Sequence, residues 1–564
     1  MKKKLVALLI TTALSISALA GCGSGKADES SQKETSSAGS VESTKTGSDA
    51  AEVSEENKEP DKLTIWVSEV LQVEDWETNA MTLWLEEQGN LDLEFEVQPS
   101  ADYSTKVNMA LTVGDIEDLP DVIICNFSNG QIWEYAQAET ILPLTDYYND
   151  PQLAANIMEA YERTGTEYTK QIISPDNNIY GIATFNQSYG NEYPHKMWMY
   201  KPYLDALGED VPTTTEEYYE LLKKVKETDL NGNGKADEIP LAGDTKDFTG
   251  YFNYLMNAFV YAGDSEFKVI ENGVVSAAFN TDEWKEGLKY IHNLFDEGLI
   301  LSESLTMDSD QFKALLAAEN NPVFSFVAMG KGNTEQYKED YIGIDSLTGP
   351  DGVNFATYRP STAQVSYVVT ANCENPEAAF RLGDLLSSEH MGITQRWGEE
   401  GVNWDYAKNL EKPEEYVAAV EGFDLSIVAY DDGTFWGSSE AQNHCWRQVG
   451  PYVRQYGIAN GLANKPENID KYKSTLNAAL TLYQTSGHNP KEVASVLNYT
   501  SDEQDQISDI ALSLINYVKE CRASFLNGNL DIDAEWDAYL KEIDKIGLDE
   551  WLEVVQTVYD RMYK

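Results

Sequence analysis

The sequence predicts an α/β fold built on a mostly parallel sheet with helices on its faces. Three observations carry this. Leu63-Thr64-Ile65-Trp66-Val67 is a short apolar run with the look of a buried strand. Leu91, Leu93, Phe95 and Val97 alternate with Asp92, Glu94 and Glu96, the two-residue period of a half-exposed strand. Between and after them, apolar residues recur at helical spacing. The order is therefore β-α-β-α-β, the signature of a parallel sheet.

In order, Trp76, Ala80, Met81 and Trp84 mark the first helix, and Tyr103–Val113 the second. Asp121–Asn126 is the third strand and Gln131–Thr140 the next helix. Ligands of such sheets gather beyond the carboxyl ends of the strands. Ser68 and Glu69 after the first strand, and Asn126, Phe127 and Ser128 after the third, are therefore cleft candidates. Further on the chain is helix-rich: Thr214 and Glu217 form a capping box ahead of Tyr218–Glu227, and Ile507, Ile510, Ala511, Leu514, Ile515 and Val518 form a long stripe.

The chain has 564 residues, enough for several domains or one large two-lobed body, with 42% hydrophobic residues to build cores. Its 41 Lys and Arg against 95 Asp and Glu leave a net charge of −54. Such a field repels phosphates, so a nucleic-acid partner and a polybasic membrane patch are both excluded.

The N-terminus is a secretory signal: Lys2-Lys3-Lys4, then the apolar run Leu5 to Ala20, too short to span a membrane comfortably. It ends in Leu19-Ala20-Gly21-Cys22, which resembles a bacterial lipobox. That resemblance implies removal of residues 1–21 and a diacylglycerol on Cys22, holding the protein at the outer face of the cell membrane. The competing reading is an ordinary cleavage site beside a chance cysteine. Residues 22–61 follow as a Ser-, Thr- and Glu-rich tether with scarcely an apolar residue. Cys125, Cys373, Cys445 and Cys521 are too scattered for a disulfide framework.

The landmarks of the body resemble the family 1 extracellular solute-binding proteins of bacterial ABC importers, above all the carbohydrate-binding lipoproteins of Gram-positive bacteria. They are Asp118-Leu119-Pro120-Asp121-Val122, Ile141-Leu142-Pro143-Leu144-Thr145, Asp296-Glu297-Gly298-Leu299-Ile300, Gly398-Glu399-Glu400-Gly401, and a tail from Phe525-Leu526-Asn527-Gly528 through Trp536 to Gly547-Leu548. The resemblance implies a periplasmic-binding-protein-like fold of two α/β lobes joined by hinge crossings, with ligand in the cleft between them. Lobe one would comprise residues 62–186 plus 365–399, and lobe two 196–362 plus 402–564. A monomer that delivers its ligand to permease subunits is the implied assembly.

The sharpest local motif is Asp229-Leu230-Asn231-Gly232-Asn233-Gly234-Lys235-Ala236-Asp237-Glu238. Side-chain oxygens from Asp229, Asn231, Asn233 and Asp237, the Lys235 carbonyl and a central glycine reproduce the spacing of an EF-hand calcium loop. Pro240 stands where that loop has its bidentate Glu, and Glu238 is the candidate replacement. The expected cofactor is a structural calcium ion. An ion-free Asn-Gly turn is the alternative.

No nucleophile elbow, phosphate loop or dinucleotide fingerprint is present, so no catalytic residues are assigned. Sugars are held by flat aromatic rings and planar carboxylate and amide groups. Trp66, Tyr189, Trp198, Glu400, Trp404, Trp436 and Trp446 sit in strand-end or loop-like contexts and join Glu69, Asn126, Phe127 and Ser128 as ligand-binding candidates. Burial in a core is the alternative for each tryptophan, and Trp76, Trp84, Trp133, Trp284, Trp536 and Trp551 are assigned to core. The function expected is capture of a carbohydrate, an oligosaccharide, for import. Its rivals are a binder of another solute such as a peptide, and a surface glycoside hydrolase or lyase.

The lipobox carries one test. Cys22→Ala is expected to release the protein into the medium with its fold intact, read by fractionation and circular dichroism; retention of the variant at the membrane contradicts the anchor.

Overall fold

Strand Asp61–Ser68 pairs in parallel with Leu91–Gln98 over its whole length, from Asp61 opposite Leu91 to Ser68 opposite Gln98. The helix between them, Ala80–Gly89, starts at Asn79, whose side chain accepts the Met81 N–H, and stops at Asn90 in the left-handed conformation. Trp76 thus precedes the helix. A Cβ on Gly89 would lie 2.6 Å from a Leu91 methyl, so a larger residue there would have to displace the Leu91 side chain.

These coordinates are a computed structural model describing residues 59–564, except 114, 246–247, 321–322 and 431–439. Among the described residues there are two main sheets. The first runs, in spatial order, Val453–Arg454, Ile182–Asn186, Gln364–Val369, Val122–Ile124, Asp61–Ser68 and Leu91–Gln98. Only Gln364–Val369 is antiparallel to its neighbours. It enters from the second lobe, and a strand that returns from beyond the carboxyl edge must run the other way. The second sheet is Tyr341–Ile344, Lys196–Tyr200, Val323–Ala328 and Ile239–Ala242.

Each sheet has its own apolar core. One gathers Leu63, Ile65, Val122, Ile123, Val365, Tyr367 and Phe380; the other gathers Met197, Leu241, Phe252, Trp284, Phe324 and Ile344. The second is completed by C-terminal helices Lys471–Thr485, Ser501–Leu526, Ile532–Ile546 and Leu548–Tyr563. Helix Lys471–Thr485 lies so close to the sheet that a Cβ on Gly343 would meet the Ala479 methyl at 2.5 Å. The capping box of Thr214 and Glu217 forms as the sequence predicts, on helix Thr215–Glu227. Cys125, Cys373, Cys445 and Cys521 are free thiols.

One boundary differs from the sequence expectation. Residues 402–464 were assigned to lobe two, yet Cys445, Trp446 and Val453 lie in the first core. Val453–Arg454 supplies the edge strand of the first sheet, beside Phe185 and Asn186. Trp404, Ile427 and Ile458 form a small cluster on Ile393 and Trp397 of helix Glu389–Trp397. The physical reason is a two-residue strand, too short for any period to show. The chain therefore crosses between the sheets over 187–195, 345–363 and, a third time, between strand Ala463–Asn464 and helix Lys471–Thr485.

The first two crossings are tied together by one carboxylate. Glu192 is 2% exposed. It accepts from the Ser361 hydroxyl (2.7 Å) and N–H (3.2 Å) on the second crossing and from the Tyr456 hydroxyl just past the edge strand. Burial pushes its carboxyl above the usual carboxylate range, against these hydrogen bonds.

Candidate functional site: strand ends and crossings

At the carboxyl edge of the first sheet lies a cavity of about 260 Å3, lined by Ser68, Ser100, Tyr103, Ser104, Cys125, Asn126 and Gln448 among others. It is held open from below by Tyr103, whose hydroxyl sits between the carbonyls of Trp66 (2.9 Å) and Ile124 (2.8 Å) at the ends of two strands. Burial pushes that phenol far up, so it stays a neutral donor. Glu69 and Asn126 are exposed on this edge. Phe127 is buried edge-on against Tyr135. Ser128 caps helix Asn129–Gln137 in a reciprocal box with Gln131, so its hydroxyl is engaged locally. Trp66 lies on the sheet rather than at its edge: its Nε1 donates to Glu96 (2.8 Å), and the Lys106 ammonium covers its ring at 4.2 Å.

Where the chain crosses between sheets, tyrosines replace the expected tryptophans. Tyr189 is half-buried and stacks on Tyr456 with centroids 4.5 Å apart and planes at 24°. Phe423 meets Tyr189 edge-on at 6.1 Å, and the Gln484 amide donates to its hydroxyl at 2.8 Å. Tyr358 leans on Tyr193 at 5.4 Å. This half-exposed aromatic surface with amide groups at its rim is suited to a polyhydroxylated ring: C–H faces on tyrosine, hydroxyls on amides. Of this cluster, sequence reasoning singles out Tyr189 alone, and Tyr456, Tyr358, Phe423 and Gln484 are added by the structure. A weighting toward tyrosine on segments without periodicity would have found the aromatic members.

Four of the tryptophan candidates are core residues, Trp66 among them at 7% exposed in the first core. Trp198, Trp404 and Trp446 are each 0% exposed. Their Nε1 groups donate to the Ala328 carbonyl (3.1 Å), the Gly398 carbonyl (2.7 Å) and the Thr82 hydroxyl (2.9 Å). One acceptor satisfies the single polar atom of an indole, so the ring can be buried entirely, and polar sequence neighbours do not prevent it. Trp446 packs with Trp76 and Phe95. Trp436 lies outside the described residues. Glu400 is exposed, 3.1 Å from the His390 imidazole, on the rim of a different groove of about 510 Å3 that also takes in Trp84, Glu399 and His444.

The calcium-type loop folds around its own oxygens. Asp229 accepts from the N–H groups of Gly232 (2.9 Å), Asn233 (3.1 Å) and Gly234 (2.9 Å). Asn231 and Asn233 each accept the N–H two residues on, at 3.0 and 2.9 Å, and Asp237 accepts from the Asn233 amide at 2.8 Å. Gly232 and Gly234 take positive φ, 74° and 87°. Glu238 turns back, its Oε1 accepting from Leu230 (2.6 Å) and Asn231 (2.7 Å). Its Oε2 is buried without a partner. The loop supplies carboxylate and amide oxygens, the hard donors that calcium takes, and one buried Glu238 oxygen is left without a protein partner. Among the described residues no three His, Cys, Asp or Glu side chains are gathered as a metal site, so the remaining oxygens here come from Asn side chains and the backbone.

Residues 71–391 match the sequence profile of the family described as bacterial extracellular solute-binding protein. The chain is 26% identical over 473 residues to the fructooligosaccharide ABC transporter substrate-binding protein FusA of Streptococcus pneumoniae serotype 4, covering 82% of this chain and 83% of that one. Among solved structures, an extracellular solute-binding protein from Bifidobacterium longum subsp. infantis superposes with a TM-score of 0.72 at 22% identity, over 90% of this chain and 99% of the other. FusA of S. pneumoniae in complex with kestose, and its EF-hand mutant in complex with fructo-nystose, each give 0.65 at 22% identity, over 89% and 99%. At such identities the superpositions establish the two-lobed fold.

The correction at Trp404 is measurable. Trp404→Ala is expected to lower unliganded stability by about 3–5 kcal/mol, as for other buried aromatic truncations, in urea denaturation. A loss below about 1 kcal/mol, the scale of surface substitutions, contradicts its place in the core.

Proposed function

The chain belongs to the bacterial extracellular solute-binding protein family, and from that premise we propose that it captures an oligosaccharide between its lobes and delivers it to the permease of an ABC importer. The observation that carries this reading is the Tyr189–Tyr456 stack, with Gln484 at its rim, at the crossings. FusA, named for fructooligosaccharides, adds support from sequence. Ligand that touches both lobes is held only when they close, so binding shifts the population toward the closed form that the permease recognises. The protein acts as a monomer, with Cys22 acylated and the membrane reached through that lipid. No chemical step is assigned.

The binding loop of residues 229–238 holds a structural calcium ion through Asp229, Asn231, Asn233, the Lys235 carbonyl, Asp237 and Glu238. Bound there, calcium would pin the turn that joins helix Thr215–Glu227 to strand Ile239–Ala242. Support comes from the partnerless Glu238 oxygen and from the EF-hand of FusA. A chelator is expected to lower the melting temperature of the wild type, and Asp229→Ala to remove that response; equal melting with and without chelator leaves an ion-free turn.

The function is tested by thermal shift and calorimetry against kestose, nystose, milk oligosaccharides and short peptides, with each sugar recovered and analysed. A sugar at about 100 times its dissociation constant adds about 2.7 kcal/mol and is returned intact. Stabilisation by peptides alone, or cleavage of the sugar, overturns the reading.

A further inference from the structure

Arg454 is 4% exposed, and among the described residues no carboxylate pairs with it. Its guanidinium is spent on amides instead. Nε donates to Oδ1 of Asn186 at 3.0 Å and Nη2 to Oε1 of Gln448 at 2.8 Å, while Nη1 reaches the Gly392 carbonyl at 3.5 Å. The rings of Trp397 and Tyr452 flank it at 5.4 and 4.9 Å. Burial lowers its pKa to about 10, which leaves it charged at neutral pH.

A guanidinium has donors only, so each amide must turn its oxygen inward and its amino group away. Among the described residues, neither Nδ2 of Asn186 nor Nε2 of Gln448 donates to a protein acceptor. Gln448 lines the strand-end cavity, and Asn186 is the last residue of its strand at the same edge. The backbone is held with equal care. Arg447 and Gln448 are consecutive non-glycine residues at positive φ, 53° and 63°. Such strain persists only where the surroundings impose it. Here Gln395, itself 0% exposed, does so by accepting the Gln448 N–H and donating to the Val449 carbonyl, both at 3.0 Å.

We propose that Arg454 is a positioning residue for recognition: it locks the Asn186 and Gln448 amides with their amino groups outward, so that this edge of the cleft presents donors to acceptor oxygens of the sugar. The inference rests on the proposed capture of carbohydrate between the lobes. It assigns a polarity to one wall of the site, favouring ring, glycosidic and hydroxyl oxygens placed as acceptors.

Gln448→Glu tests it. The side chain keeps its shape and gives Arg454 a carboxylate partner, so unliganded melting stays unchanged or rises, but an acceptor now stands where the donor was. Titration calorimetry with the panel sugar that binds the wild type most tightly is expected to show a loss of fivefold or more. Arg454→Lys replaces the fork with a point donor that cannot hold both amides. It is expected to weaken binding, with the losses less than additive when it is combined with Gln448→Glu. A smaller loss in Gln448→Glu, a lowered melting temperature in that variant, unweakened binding in Arg454→Lys, or full additivity overturns the inference while the capture reading stands. A wild type that binds no sugar of the panel overturns both.

Discussion

Two separately cored lobes are joined by the segments that pass between them, and two of these segments meet at the buried carboxylate of Glu192. An ionised group out of water is costly unless its acceptor sites are filled. Ser361 and Tyr456 fill them from two other stretches of chain. The Glu192 carbonyl also accepts the Arg359 N–H at 2.9 Å. Sliding of one crossing past another would strand this charge, whereas rotation about it need not. The node therefore favours a pivot over a shear. Tyr456 serves both this node and the aromatic stack with Tyr189, so the two are one side chain apart.

The sequence made the repetitive parts of this fold legible and left the short parts dark. The first two strands and the helices after them are readable because alternation and helical spacing persist over eight to eleven residues, the third strand because its few residues are all apolar, and the Thr214–Glu217 cap because its chemistry is local. The third crossing was not, because Val453–Arg454 is a two-residue strand whose pairing depends on Phe185 and Asn186, far away in sequence. Topology alone leads to Ser68 and Asn126, which line one strand-end cavity, whereas side-chain size misled where it was the guide. Trp198, Trp404 and Trp446 are large enough to be worth burying and need one acceptor each. At the crossings Tyr189, Tyr358 and Tyr456 keep part of their surface in water.

Charge is balanced inside the molecule and lopsided outside. The chain carries a net −54, yet its buried side chains include Lys196, Lys331, Arg454 and Arg522 as well as Glu192, Glu238, Asp244 and Asp384. Lys196 donates to the carbonyls of Gly190 and Tyr193, and burial lowers its pKa to about 7. The acidity is therefore largely an outer coat, a long-range field that repels anions and other copies of the chain. A neutral sugar is indifferent to it. Near the strand ends, Arg454 reaches the cleft as oriented amide dipoles, which act over hydrogen-bond distance alone.

The strand order has a consequence for how the molecule comes into being. Gln364–Val369 sits between Val122–Ile124 and Ile182–Asn186, the outer edge waits for Val453, and the second core draws on residues as late as Tyr559. Neither lobe can close its sheet and core until nearly the whole chain is present. Contacts so distant in sequence make folding slow. A polypeptide that cannot complete either half early stays open longer, and it acquires its final form only once its last helices are available to pack.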